Sequence, residues 1–93
     1  MKELRFEWNE QKNLANIAKH QVSFNEAQTV FSDARARVIA DPDHSDDEDR
    51  FIIMGISSKL RVLVVCHCYR ENDEVIRIIS ARKATKNEVS NYG

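Results

Sequence analysis

Two apolar segments near the C-terminus carry side chains that could act on a phosphodiester. RVLVVCHCY and EVIRIISAR alternate as strands do, and Asn72-Asp73 between them is typical of a two-residue hairpin turn. This turn would place His67 opposite Ile78 and Leu63 opposite Arg82. One face of the hairpin is then predicted to carry His67, Tyr69, Ser80 and Arg82, and the other Cys66, Cys68, Arg77, Ile79 and Ala81.

The first of these faces suits the cleavage of RNA without a metal ion. In that reaction a base removes the proton of the 2′-hydroxyl, and cations stabilise the charge that develops on the phosphoryl oxygens. Arg82 suits the second role because its planar fork matches phosphate oxygens, and His67 could be the base or the acid. Tyr69 could donate a hydrogen bond or stack on a base. The alternative is structural: His67 is a partly buried strand residue, and Arg77 and Arg82 pair with carboxylates.

An acidic segment, DPDHSDDEDR at residues 41–50, raises the question of a metal site. A calcium loop of the EF-hand type needs glycine at its sixth position and a carboxylate at its twelfth, whereas counting from Asp41 gives Asp46 and Ile52. We therefore expect a turn between strands, with no metal and no other cofactor. Outside the segment there are 13 basic and nine acidic residues. This excess could bind a polyanion or simply form a solvated surface.

Length and composition indicate one soluble domain, residues 1–93. No apolar run approaches the ~18 residues that a membrane span needs, and the charged start MKELRFEWNE is not a signal peptide. We therefore expect a cytoplasmic protein that does not bind membranes. Cys66 and Cys68 would share one strand face, where a disulfide would be strained, so we expect reduced thiols.

Capping residues and apolar periodicity predict three helices. Asn9 is a suitable N-cap for a helix over about residues 9–20, in which Leu14 and Ile17 recur at helical spacing. Capping boxes open the other two helices, and they are formed by Ser23 with Glu26 and by Thr85 with Glu88. The first helix also carries a polar stripe that could contact phosphates or face solvent: Lys12, Asn16, Lys19 and His20.

Five segments have the pattern of strands: residues 4–8, 35–40, 51–57, 61–69 and 74–82. With the three helices they give the order β-α-α-β-β-β-β-α. The loops between the last four strands are of hairpin length. The order therefore predicts an α+β fold in which helices pack on an antiparallel sheet.

Four stretches of the sequence resemble the BrnT toxin family. They are F-E-W-N-x-x-K-N-x-x-N-x-x-K-H-x-V-S-F-x-E-A from Phe6 to Ala27, D-P-x-H-S-x-x-E-x-R from Asp41 to Arg50, G-x-S from Gly55, and R-I-I-S-A-R-x-A from Arg77 to Ala84. Together they cover nearly the whole chain in the right order. The resemblance implies a RelE-like fold and a ribonuclease toxin of a type II toxin–antitoxin module, which cleaves RNA to inhibit translation and growth.

The resemblance also implies a partner, a BrnA-type antitoxin that neutralises the toxin and carries the DNA-binding part that represses the operon. The toxin would then meet operator DNA only through the antitoxin, and the two proteins could assemble as a hetero-tetramer. We expect the antitoxin to cover basic toxin surface, including Lys12, Lys19 and the C-terminal helix. The alternative function is that of a non-catalytic module that binds RNA or antitoxin after its toxin activity has decayed.

RelE-like toxins use basic residues and a tyrosine on the sheet and C-terminal segment, and members vary in which ones. By position, the predicted catalytic set is Arg77, Arg82, Lys83, His67, Tyr69 and Tyr92, and the predicted RNA-binding residues are Lys12, Lys19, His20 and Arg50. Two positions depart from the family pattern, since Gln21 and Leu60 stand where glycine is usual. We expect the joint after the first helix to close without a residue of positive φ.

Overall fold

Five strands form one mixed sheet in the computed structural model, which describes residues 4–42 and 49–92. The strands lie in the order β1-β5-β4-β3-β2, with bounds β1 (Arg5–Glu7), β2 (Arg37–Ala40), β3 (Phe51–Ile56), β4 (Val62–Arg70) and β5 (Val75–Lys83). The prediction of an antiparallel sheet holds for β2 to β5 and was wrong for β1, which pairs parallel with β5. The alternation of apolar residues and the short loops predict which strands form hairpins. They do not show the direction in which β1 pairs with β5, which lies far away in the sequence.

Three helices accompany the sheet: α1 (Glu10–His20), α2 (Phe24–Thr29) and α3 (Lys86–Ser90). A 3₁₀ turn that we did not predict, Val30–Ser32, follows α2. The predicted N-caps are confirmed, since Asn9 accepts from the N–H of Lys12 at 3.0 Å and Ser23 from that of Glu26 at 3.0 Å. In the part of the chain described, no helix is long and apolar enough to cross a membrane. The predicted turn within the acidic segment falls mostly on residues 43–48, outside the described residues.

The helices α1 and α2 pack against β5, and the core lies between them and the sheet. Helix α2 and its flanks contribute the fully buried Val22, Phe24, Ala27 and Val30. The sheet contributes Ile53, Leu63, Val65, Ile78 and Ala81 from β3, β4 and β5. One face of the sheet is therefore closed by the core, and its other face, the outer face, carries the more exposed side chains.

An ion pair between the buried Glu26 and the half-buried Arg61 joins α2 to the turn between β3 and β4. Glu26 is 4% exposed; its carboxylate accepts from Arg61 Nε at 2.9 Å, from Arg61 Nη2, and from the Ser57 hydroxyl at 2.7 Å. The hydrogen bond from Arg61 is the main reason that the pKa of Glu26 is lowered despite burial. Glu26 therefore turns towards the sheet, and only the Ser23 half of its predicted capping box forms.

Gly55 lies where the 3₁₀ turn crosses β3. A Cβ atom at this position would lie 2.9 Å from Val30 Cγ1 and 2.9 Å from Ala36 Cβ, closer than real carbon atoms approach. Glycine is therefore required for packing. Since Ser57 binds Glu26, both fixed residues of the G-x-S stretch have structural explanations.

The two positions where the resemblance predicts glycine, Gln21 and Leu60, have the positive φ that glycine favours. Gln21 ends α1 in the left-handed conformation, with φ 58° and ψ 34°, and its N–H donates to the carbonyl of Ile17. Leu60 has φ 62°. The expectation that the joint after α1 closes without a positive φ was wrong, because the turn geometry is kept at the cost of a strained non-glycine residue.

The hairpin between β4 and β5 has the predicted turn but not the predicted register throughout. Glu74 N donates to Glu71 O, and Asn72 and Asp73 both have positive φ, as a type I′ turn requires. His67 faces Ile78 as predicted, but a β-bulge follows, and Val64 rather than Leu63 then faces Arg82. Ile79 is the additional residue, so Ser80 and Arg82 lie on the outer face, opposite to the face that holds His67.

The predicted polar stripe of α1 is interrupted, because Asn16 points into the protein. Its Nδ2 donates to the carbonyls of Val22 and Ala81, each at 2.8 Å, and its Oδ1 accepts from the N–H of Ala81 at 3.1 Å. Strand β1 pairs with β5 only as far as Arg77. Asn16 therefore serves the edge of β5 as a further strand would, while Leu14 and Ile17 are exposed.

We predict that Asn16→Ala lowers the free energy of unfolding by about 2–4 kcal/mol. The change leaves the N–H and carbonyl of the buried Ala81 without the partner they have in this fold. Urea unfolding measures the loss. Gln11→Ala, at an exposed position of the same helix, should stay within about 0.5 kcal/mol. Equal stability of the two variants would show that the amide does not fasten α1 to β5.

Candidate active site

A groove of about 380 Å³ lies on the outer face of the sheet, beside the end of α1. Its polar lining consists of His20, Asp41, Arg50, Cys66, Ser80 and Arg82. These residues come from the last turn of α1, the two ends of the connection between β2 and β3, the middle of β4, and the end of β5. The predicted residues that meet in this groove are therefore His20, Arg50 and Arg82.

Arg82 is held in place by a carboxylate of the C-terminal helix. Its Nη1 and Nη2 donate to Glu88 Oε1 and Oε2 at 2.8 and 3.0 Å, and Nη1 also donates to the carbonyl of Lys83 at 3.3 Å. The hydrogen bond from Arg82 lowers the pKa of Glu88 to about 2, and that from Glu88 raises the pKa of Arg82. The pair is thus ionised near neutral pH, and the Arg82 side chain stays 42% exposed.

The thiol in the groove is not an activated nucleophile. Burial, assisted by the charge and hydrogen bond of Asp41, raises the pKa of Cys66 to about 11. Its Sγ donates to Asp41 Oδ2 at 3.6 Å. Since the nucleophilic form is the thiolate, Cys66 is a neutral donor in this groove. Cys66 and Cys68 are both free thiols, as expected. Within residues 4–42 and 49–92, no three His, Cys, Asp or Glu side chains are grouped to hold a metal ion.

His67 lies on the core face, away from the groove. It is fully buried, and its ring makes edge contacts with Phe31 and Tyr69 at centroid distances of 4.8 and 5.4 Å. Nδ1 is 3.3 Å from the carbonyl oxygen of Val65, and no described residue bonds to Nε2. The prediction that His67 and Arg82 share a face was wrong because of the bulge, and RNA cannot reach this imidazole.

The other predicted basic residues lie outside the groove. Arg77 is on β5 opposite β1, and its Nη1 donates to Glu7 Oε2 at 2.7 Å. The structural alternative for Arg77, that it pairs with a carboxylate, is therefore confirmed. Lys83 is exposed at the last position of β5. Lys12 and Lys19 are exposed on α1, so the first helix brings only His20 to the groove.

Neither tyrosine lines the groove. The Tyr92 hydroxyl donates to Asp33, a contact that fastens the end of the chain and raises the pKa of Tyr92. Asp33 also accepts from the N–H of Ile56 at 2.8 Å. Tyr69 is 38% exposed and lines a separate hollow with Phe51. Both residues therefore have structural contacts of their own.

Residues 8–88 match the family described as ribonuclease toxin, BrnT, of type II toxin-antitoxin system. The chain belongs to the BrnT family. The crystal structure of the Brucella abortus ribonuclease toxin, BrnT, is similar to this fold, with a TM-score of 0.68 and 26% sequence identity over 90% of this chain and 100% of that one. No curated protein matches the sequence.

Two groove features of this BrnT chain were not predicted. Glu88 was expected to cap α3, which it does. Its ion pair with Arg82 depends on the shifted register of β5, so it could not be predicted from the spacing of the two residues in the sequence. Asp41 was assigned to a turn, and its contact with Cys66 depends on the pairing of β2 with β3. The stretches that carry the family resemblance were the available signal for Asp41, which they include, and they end at Ala84, before Glu88.

We predict that His67 makes this BrnT protein less stable in mild acid. Burial lowers the pKa of His67 in the fold, so the unfolded chain binds a proton first. The free energy of unfolding is therefore fully retained above the pKa of the unfolded histidine and is lost as the pH falls below it. Urea midpoints at about pH 7.5 and about pH 5.5 should differ less in His67→Phe than in the wild type. His20→Gln should behave like the wild type, and an unchanged difference in His67→Phe would contradict the assignment.

Proposed function

We propose that this BrnT-family chain is an endoribonuclease that works without a metal ion, and that cleavage takes place in the groove between the end of α1 and β5. The observation that carries the proposal is the convergence of His20, Arg50 and Arg82 from three separate segments on one groove. An imidazole and two guanidinium groups that line one groove supply the proton transfer and the positive charge that the reaction needs.

The proposed reaction begins with the 2′-hydroxyl of the substrate attacking its own phosphorus. His20, acting as a general base, accepts the proton that this hydroxyl loses. Arg50 and Arg82 stabilise the negative charge on the phosphoryl oxygens. The bond to the 5′-oxygen of the next nucleotide breaks, and that oxygen takes a proton from water. The products are a 2′,3′-cyclic phosphate and a 5′-hydroxyl.

Arg82 can receive a phosphate while it keeps its contact with α3. A guanidinium group has five N–H donors, and the bonds to Glu88 and Lys83 use three of them. The Nε–H and one Nη2–H have no partner among residues 4–42 and 49–92. Glu88 therefore orients the fork and leaves part of it for the substrate. We assign Glu88 a positioning role and Arg82 the contact with the phosphate.

The remaining parts of the proposal follow from the family. A type II toxin family implies an antitoxin partner, and we propose one of the BrnA type, with RNA as the substrate of the toxin and a hetero-tetramer as the assembly. We also propose that the fold is RelE-like. The description of the family as ribonuclease toxins supports the reaction class, and the groove supports its place on the sheet.

We predict that Arg82→Ala lowers RNA cleavage by roughly a hundredfold or more, equivalent to about 2–4 kcal/mol of transition-state stabilisation. The measurement is single-turnover cleavage of a labelled RNA in buffer that contains excess EDTA. The wild type should remain active in this buffer. Glu88→Ala is the matched control, because it breaks the same ion pair and keeps the guanidinium.

The control separates the charge of Arg82 from the attachment of α3. Glu88→Ala removes the carboxylate that orients the guanidinium and should lose clearly less activity than Arg82→Ala. Equal losses would show that Arg82 acts by holding α3, and the proposed phosphate contact would be wrong. If EDTA abolished wild-type activity and magnesium restored it, the metal-free mechanism would be wrong. Arg77→Ala lies outside the groove and should cleave at close to the wild-type rate.

A further inference from the structure

The strand β2 forms the free edge of the sheet. Among residues 4–42 and 49–92 it pairs only with β3, and all four of its residues are exposed. Asp41 N donates to Arg50 O at 2.9 Å, and hydrogen-bonded and non-bonded pairs alternate along an antiparallel ladder. The N–H and carbonyl groups of Val38 and Ala40 therefore point away from β3. This edge could accept one more strand.

An apolar groove with a polar rim runs beside this edge on the outer face. Its volume is about 260 Å³, and Ile39, Ile52, Met54 and Val64 form its floor, with Arg37, Asn91 and the Arg82–Glu88 ion pair at its rim. Ile39 is 58% exposed. The exposed Arg37 has no ion pair with any residue in the described part of the chain, and Arg35 beside it is also exposed. The edge thus offers backbone donors and acceptors, aliphatic surface and positive charge together.

We infer that this edge binds an extended, acidic and apolar segment of the antitoxin, which adds to the sheet as a sixth strand beside β2. Backbone hydrogen bonds to Val38 and Ala40 would give the affinity. Apolar side chains at alternate positions would fill the groove over Ile39, and carboxylates would meet Arg35 and Arg37. The inference deepens the proposed function and rests on it for the partner's effect on RNA cleavage.

The chemistry of the edge favours a protein strand over RNA. A row of alternating N–H and carbonyl groups matches another peptide backbone, and an aliphatic floor has no donors for phosphates. A second copy of this chain would also offer a strand, but it would bring the same cluster of arginines to the edge. A partner with carboxylates is the better match for this charge.

The position of Arg82 explains how such a segment would silence the toxin. Arg82 lines both this groove and the candidate active site. A carboxylate or a bulky side chain that the antitoxin places beside it would take the space and the charge that a phosphate needs. Neutralisation would then follow from occupation of one arginine shared by two grooves, with no rearrangement of the core.

The test is calorimetric binding of the antitoxin from the same toxin–antitoxin module to four purified toxin variants. Val38→Pro removes the outward N–H at a position where an edge strand tolerates proline, and Val38→Thr is its matched control. Ile39→Asp places a charge in the groove, and Leu14→Asp places one on the exposed apolar side of α1. Circular dichroism melting and cleavage of a labelled RNA by each free variant accompany the binding measurements.

Val38→Pro and Ile39→Asp should each weaken antitoxin binding by at least about tenfold, whereas Val38→Thr and Leu14→Asp should bind as the wild type does. All four free variants should cleave RNA like the wild type, so failure of the docking proposal is distinguishable from failure of the proposed function. Wild-type binding by both Val38→Pro and Ile39→Asp would overturn the inference. So would a wild-type homodimer that Val38→Pro dissociates while antitoxin binding is unchanged. If Val38→Pro does not fold, Ile39→Asp decides the outcome.

Discussion

The amide of Asn16 is the interaction on which the arrangement of this protein depends. It binds the backbone of Ala81 through both its oxygen and its nitrogen, and it binds the carbonyl of Val22 at the joint between α1 and α2. All of these groups are buried, so their hydrogen bonds are expensive to lose. Since His20 follows Asn16 by one helical turn and Arg82 follows Ala81 directly, the same contact positions two of the three groups that we place on the substrate.

The β-bulge determines which polar side chains lie on the outer face of the sheet. One additional residue on β5 moves Ser80 and Arg82 to the outer face and leaves His67 among aromatic rings in the core. The outer face then has an imidazole from α1 instead of one from β4. Arg82 joins two grooves there, and its bidentate contact with Glu88 keeps the guanidinium oriented between them. Substrate and antitoxin would therefore compete for one charged group.

The helices and strands could be predicted because their signals are local. Asn9, Ser23 and Thr85 cap the three helices, and Asn72-Asp73 forms the turn that its residue types favour. The side of the sheet on which Arg82 lies could not be predicted. A bulge depends on how the two strands pack together, and neither strand shows it in its alternation of apolar and polar residues. The inward orientation of Asn16 was missed for a similar reason. An asparagine in a helix is expected at the surface, and only the fold shows that the edge of β5 has unpaired backbone groups to which its amide bonds.

The most direct test of the groove as the RNA site is an NMR titration of the toxin with a short RNA whose 2′-hydroxyl at the cleavage position is replaced by hydrogen, which prevents cleavage. The account predicts that the largest shifts fall on the backbone amides of Ser80 to Lys83, His20 and Arg50, with a steep dependence on salt. Amides around Tyr69 and along the exposed side of α1 should change little. Shifts concentrated on α1 near Leu14, or on the hollow beside Tyr69, with Arg82 unaffected, would contradict the account.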